Sequence, residues 1–243
     1  MNHPQKDERV RERLLAERIR GSAINWKWLS DLDGGWVDRK RANKFLLGAA
    51  LDYQMRANLV WENARRFAED DLGDPDDLWE NILAIPGWDS EIVFRRYRLH
   101  RFPEAHRRVR RIGEAIVGNY GGDSREIWRD QRPAEVRKRL ERMRLGPQIA
   151  RMVVGALFDT GQISGAGELK ADLHVTRVLG RVFAGERVSV AEAHRIANRI
   201  MPDRSWMVDA PLYLLGKSRC RPTTPDCGRC YLRPECVYFE ANS

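Results

Sequence analysis

CRPTTPDCGRCYLRPEC, Cys220–Cys236, holds every cysteine of the chain in the spacing C-x6-C-x2-C-x5-C. Three short loops bring four thiols together within 17 residues, the ligand set of a tetrahedral metal or an iron–sulfur site. Pro222, Pro225 and Pro234 stiffen the turns. Gly228, inside the tight Cys227–Cys230 pair, is expected where close packing favours a residue without a side chain. Two disulfides or four unrelated buried thiols are the competing assignments. The C-x2-C spacing in a chain expected to stay in the cytosol argues against the first, and the clustering of every cysteine argues against the second. Structural zinc also uses cysteine-only sites, so the spacing alone leaves the metal open.

The 243 residues suffice for one sizeable core or two modest ones. No apolar run approaches the ~18 residues of a membrane span. The opening MNHPQKDERVRERLLAERIR lacks the apolar stretch of a signal peptide, so export is not expected. The net charge of +8 is carried by 36 arginines and only 7 lysines. Arginine forks match phosphate oxygens, so this balance suits a polyanionic partner, although most single arginines lie on ordinary solvated helix faces.

The apolar pattern predicts helices almost throughout and no strand. A first amphipathic helix covers about 5–20, with Val10, Leu14 and Ile19 among charges. The segment 21–37, with Trp26, Trp28 and Trp36, predicts a loop packed by aromatics. About six helices then follow between 39 and 158. Asp74-Pro75, Pro103, Ser124 and Pro133 predict helix starts, while Pro86-Gly87 and Gly121-Gly122 predict ends. A glycine-rich connection, TGQISGAGELK, leads to a helix from Leu173 to Phe183. Ser189 and Glu192 predict a capping box, and Asp209 starts a last helix that runs into Cys220.

The cysteine spacing resembles the [4Fe–4S] loop of endonuclease III and MutY, the helix–hairpin–helix DNA glycosylases. A second match lies upstream. KADLHVTRVLGR, Lys170–Arg181, is similar to that family's V-D-T-H-x-x-R-V segment, with Asp172, His174, Arg177, Val178 and Arg181 in the matching places. Cys220 follows 48 residues after Asp172, led in by LGKSRC. The resemblance covers about residues 40–238 and is strongest beyond 170.

It implies an all-α protein of two helical domains with a DNA groove between them. One is a six-helix barrel, 39–160, ending in the helix–hairpin–helix; the other joins 1–38 to 161–243 around the cluster. Cys220, Cys227, Cys230 and Cys236 would hold one [4Fe–4S] cluster in a structural role. The implied partner is double-stranded DNA containing a damaged or mismatched base, met by a cytoplasmic, nucleoid-associated monomer.

Asp172 is the implied catalytic carboxylate, and its place just before Leu173 also suits an N-cap. Breaking an N-glycosidic bond builds positive charge on the sugar, which a fixed anion stabilises while it orients the attacking water. The hairpin maps onto Leu145–Pro147, where Gly146 matches the family and Arg144 replaces an earlier glycine. Gly146, Arg144, Lys217, Arg219, Arg221 and Arg229 are the implied phosphate contacts. Gln148 stands where bifunctional members carry a Schiff-base lysine; an amide cannot be that nucleophile, so a monofunctional enzyme is expected. Lys170 is the alternative amine. His174 and Arg177 are expected to be structural or phosphate-facing.

ALDYQMRANL, Ala50–Leu59, resembles the segment that lines the base pocket and the stack. Gln54 is the candidate for insertion, with Tyr53 and Asp52 near the pocket and Arg101 or Phe102 as a second wedge. Gly48 or its neighbours stand where MutY places a catalytic glutamate, which disfavours adenine excision. A lesion-sensing protein of the same fold without catalysis, or a bifunctional enzyme using another lysine, are the alternatives.

Overall fold

A computed structural model describes residues 8–21, 38–165, 167–202 and 204–242, without the side chains of Ile19, Arg20 and Trp88. The aromatic segment predicted at 21–37 lies outside the described residues beyond Gly21. The described residues form α-helices with short 3-10 and π turns and no strand, as the pattern predicts. In chain order the α-helices are α1 (Glu8–Gly21), α2 (Arg39–Leu51), α3 (Ala57–Arg66), α4 (Leu78–Ala84), α5 (Gly87–Arg96) and α6 (Ala105–Tyr120). They continue with α7 (Pro133–Arg142), α8 (Pro147–Asp159), α9 (Leu173–Ala184), α10 (Val190–Ile200), α11 (Asp209–Ser218) and α12 (Val237–Ala241).

The chain divides into two compact units, residues 27–165 and residues 1–26 with 166–243. The first holds α2 to α8, seven α-helices among the described residues rather than the six expected. Pro86 explains the difference. It ends α4 as predicted, but its extended backbone (φ −53°, ψ 142°) immediately starts α5 at Gly87. Asp74-Pro75 does not start a helix. Asp74 turns the chain at φ 52° and its carboxylate accepts Lys44 at 2.9 Å, while α4 begins only at Leu78.

Trp79, Trp128, Phe45 and Phe67 centre the core of this unit. A buried amide cross-links it. Asn43 Oδ1 accepts from Trp79 Nε1 (3.1 Å), Ser124 N (2.9 Å) and Ser124 Oγ (2.7 Å), and Nδ2 donates to Gly122 O at 2.9 Å. Every polar atom of that buried side chain is thereby used, which ties α2 to α4 and to the turn after α6. Gly121 ends α6 in the left-handed region at φ 59°, as the Gly121-Gly122 pair predicts.

In the second unit α9 packs against α10, α11 and α12 over a core of Val175, Val178, Leu179, Ile196 and Leu212. A side chain on Gly216 of α11 would meet His174 Cβ at 2.7 Å, so glycine permits the close approach of α9 and α11. Arg199 of α10 pairs with Glu8 and Glu12, and Arg11 pairs with Glu240 of α12 at 2.7 Å, so α1 is clamped to α10 and to α12. Ser189 caps α10 through Glu192 N (3.2 Å); the Glu192 side chain turns instead to Arg195 at 2.6 Å, leaving half of the expected box.

Candidate active site and cysteine centre

Asp172 sits at the N-cap of α9 with extended backbone (φ −80°, ψ −175°). Its Oδ1 accepts from His174 N at 2.7 Å and Val175 N at 2.9 Å. Both donors are among the N–H groups that a helix start leaves without partners. Oδ2 takes no hydrogen bond from the described residues, and the side chain is half-buried. One oxygen of the carboxylate therefore caps the helix while the other stays available. Leu173 beside it is 61% exposed, an apolar face next to that free oxygen. Lys170 is half-buried, and its carbonyl accepts from Asp172 N at 3.0 Å.

One turn along α9, Arg177 and Arg181 reach the first cysteine loop. Arg177 Nε donates to Cys220 O at 2.8 Å, and its outer nitrogen donates to Gly216 O at 2.9 Å and meets His174 Nδ1 at 3.1 Å. Arg181 donates to Arg221 O and Pro222 O, both at 2.7 Å, and reaches Cys220 Sγ at 3.5 Å. Its guanidinium also lies 4.4 Å from the Tyr238 ring centre. Both arginines are buried; of the two roles expected for Arg177, structural or phosphate-facing, these bonds are of the structural kind, and Arg181 makes the same kind. The i, i+4 spacing of the two was the available signal for this brace.

All four cysteines, with Arg181, Leu215, Leu232 and Tyr238, line one cavity, and none is disulfide-bonded. Burial pushes the Cys227 and Cys230 thiols up and Cys236 up to about 11. No three of the described His, Cys, Asp and Glu side chains gather tightly enough to hold a single metal ion. Gly228 is exposed, and a side chain added there would meet open space, so packing does not explain that glycine. Asp226 accepts Arg219 at 2.7 Å and Arg229 at 2.7 Å, placing both cations on one carboxylate. Arg221 and Lys217 are exposed, the latter 5.6 Å from the Tyr213 ring centre.

In the other unit the hairpin joins α7 to α8. Leu145 N donates to Leu140 O (3.1 Å) and Arg144 N to Glu141 O (2.9 Å), the paired bonds of a Schellman ending. That ending requires a left-handed residue, and Arg144 supplies it at φ 70°. Arg144 is the position where the resemblance places a glycine, so the backbone demand persists without the residue that meets it at least cost. Gly146 has φ −64°, and a side chain there would meet open space. Its lack of a side chain is not required within the chain, so any requirement comes from outside it. Pro147 occupies the first turn of α8, followed by Gln148, whose Oε1 is buried with no hydrogen-bond partner.

The turn after α2 carries Asp52, Tyr53 and Gln54. Asp52 is buried and its N–H closes α2 on Ala49 O. Gln54 is exposed at φ 51°, strained for a residue with a side chain. Arg101, from the turn between α5 and α6, donates to Gln54 Oε1 at 3.1 Å, so the two candidate wedges meet. His100 joins their turns from beneath. Its Nδ1 accepts from Phe102 N at 3.1 Å, which leaves the proton on Nε2, 2.9 Å from Tyr53 O. Tyr53 stacks on His100 at 4.1 Å and carries Arg108 4.4 Å from its ring centre. The Tyr53 ring is thus already in use as support. Sequence reasoning missed His100 and Arg108, because nothing local marks them. Gly48 of α2 faces Trp61, whose ring lies 2.4 Å from where a side chain would begin, so packing excludes a carboxylate at this position.

No family model and no curated protein matches the chain. Solved structures do. A trapped covalent endonuclease III–DNA intermediate, an estranged-adenine complex, is similar with a TM-score of 0.65 and 21% identity, over 96% of this chain and 98% of that one. A non-covalent endonuclease III–DNA complex gives 0.63 and 18% over 95% and 97%. A thermostable thymine-DNA glycosylase gives 0.66 and 14% over 96% and 98%. The chain has the fold of the helix–hairpin–helix DNA glycosylases.

Proposed function

We propose that this chain is a monofunctional DNA glycosylase of base excision repair, acting as a monomer on duplex DNA that carries a damaged or mismatched base. The observation that carries the proposal is Asp172: one oxygen fixed by two backbone N–H donors, the other left unbonded, on a fold shared with DNA glycosylases. As the glycosidic bond lengthens, positive charge grows on the sugar. Oδ2 stabilises that charge and takes the proton of the attacking water, while Oδ1 holds the carboxylate in place. Gln148 has no amine and forms no Schiff base, so water completes the reaction and an intact abasic site remains. Its unpartnered Oε1 is an acceptor suited to a donor group on an extruded base.

Gln54 and Arg101 fill the gap that the extruded base leaves. The hairpin around Arg144 and Gly146 meets phosphate, as do Lys217 and Arg221; Arg219 and Arg229 contribute in so far as Asp226 releases them. Cys220, Cys227, Cys230 and Cys236 hold a [4Fe–4S] cluster, which supplies a structural staple. The support for a cluster is that all four thiols line one cavity and that their spacing resembles the [4Fe–4S] loop.

The test is incubation with single-lesion duplexes, with and without alkali. Base release with strand breaks only after alkali, and no borohydride-trapped complex, is the expected result. Trapping would transfer the role to another amine, Lys170 first. Lesion binding without release of any base would favour the non-catalytic alternative. Purified protein should be brown and carry about four irons per chain.

A further inference from the structure

The Gln54–Arg101 contact forms a ridge with a hollow on each side. Residues of the same two turns face both ways. Tyr53, Gln54 and Phe102 line one hollow with Arg107, Arg108 and Arg111. Met55, His100 and Arg101 line the other with Arg96 and Arg98. We infer that this ridge and its two hollows form a track for the sugar–phosphate backbone of duplex DNA, with Arg107 and Arg111 on one side and Arg96 and Arg98 on the other as phosphate ligands. The inference rests on the reading of the chain as a duplex-binding protein and places most of its electrostatic contact where the sequence did not.

Charge pairing carries the argument. Arg96, Arg98, Arg107 and Arg111 are exposed, and none pairs with a carboxylate among the described residues. Arg96 rests against the Tyr97 ring, 5.7 Å from its centre. Among the described residues Glu104 is the one carboxylate lining the first hollow, and none lines the second. Arg108 adds a half-buried cation. Two of its nitrogens have no hydrogen-bond partner, and with Arg111 nearby its burial lowers the guanidinium pKa. Uncompensated cations repel one another, and an anion in the hollow relieves that cost. The cluster loop differs, because Arg219 and Arg229 must first leave Asp226 before meeting a phosphate. A backbone fits better than a small anion, since the cations lie on both sides of a ridge whose tip is a strained, exposed glutamine.

The experiment measures duplex affinity against salt for the intact protein and for three double variants: Arg107→Gln with Arg111→Gln, Arg96→Gln with Arg98→Gln, and Arg219→Gln with Arg229→Gln. Each phosphate contact contributes about 0.9 to the slope of log K against log salt. Each hollow pair should therefore lower the slope by about 1.8, a loss of about sixtyfold in affinity at about 0.1 M relative to about 1 M salt, and the cluster-loop pair should lower the slope by less than about one. Lysine at the same positions should restore the slope, and thermal melting should confirm folding. Salt-dependent binding by the parent with unchanged slopes in both hollow variants overturns the track alone. Absence of salt-dependent duplex binding by the parent overturns the functional reading beneath it. A larger loss from the cluster-loop pair than from either hollow pair returns the contact to the cysteine loop and also overturns the track.

Discussion

Arginine serves opposite purposes in the two units. Around the cysteines Arg177 and Arg181 are buried and spend their N–H groups on the carbonyls of Gly216, Cys220, Arg221 and Pro222. Around the Gln54 ridge Arg96, Arg98, Arg107 and Arg111 are exposed and form no ion pair with a carboxylate among the described residues. The same side chain is a brace where its donors find backbone acceptors and a free charge where they find only water. Net charge therefore says little about where a polyanion binds; the pairing of each cation decides it.

The largest effect expected of any single change lies on the braced side. Asp172→Asn keeps an oxygen for the N-cap and removes the charge. Single-turnover base release should fall at least about a thousandfold with plain-duplex affinity retained. Full activity in that variant would detach the chemistry from the α9 N-terminus altogether.

Arg181→Met comes next. It leaves the part-buried Arg221 O and Pro222 O without their donor, at a cost of about 1–2 kcal/mol. Lower melting temperature and loss of iron should appear together. The comparison breaks if this variant instead loses only salt-dependent DNA affinity and keeps its stability, because Arg181 would then be a free charge as well.

Arg144→Gly sharpens the comparison within the hairpin. Glycine meets φ 70° without the left-handed penalty of about 1–2 kcal/mol, less the extra freedom it gives the unfolded chain. The hairpin unit should gain about 0.5 kcal/mol in denaturant unfolding while duplex binding weakens. A gain in stability with unchanged binding would remove Arg144 from the phosphate contacts.

The smallest effect is on pH. Burial lowers the His100 pKa below 6.5, with Arg101 and Arg108 adding to the shift while its bond to Tyr53 O and Glu104 oppose it. The folded protein thus binds the proton less well than the unfolded chain. The contribution of His100 is intact above pH 6.5 and declines as pH falls from there through its folded value. The protection factor of the Phe102 amide, its exchange corrected for the intrinsic pH dependence, should fall over that range in the parent and stay flat in His100→Gln. An unaltered profile in the variant would assign the effect to another group.

Where bonds are local, the sequence determined the outcome. Asp172 caps α9 because its carboxylate reaches N–H groups two and three residues on, and Gly121 ends α6 because it alone there tolerates φ 59° cheaply. The Cys220–Cys236 spacing brought four thiols to one cavity for the same reason, since three short loops cannot place them far apart. The helical class was legible too, through apolar periodicity and its stops, although Pro86 started a helix as well as ending one. Only the tertiary structure decided which arginines are braces and which are free. Arg181 meets Pro222, 41 residues on, and Arg101 meets Gln54 across 47. Nothing near either residue in sequence specifies those partners. A long, flexible cation takes whichever acceptors the packed helices bring within reach, and that is settled only once the cores beneath them have formed.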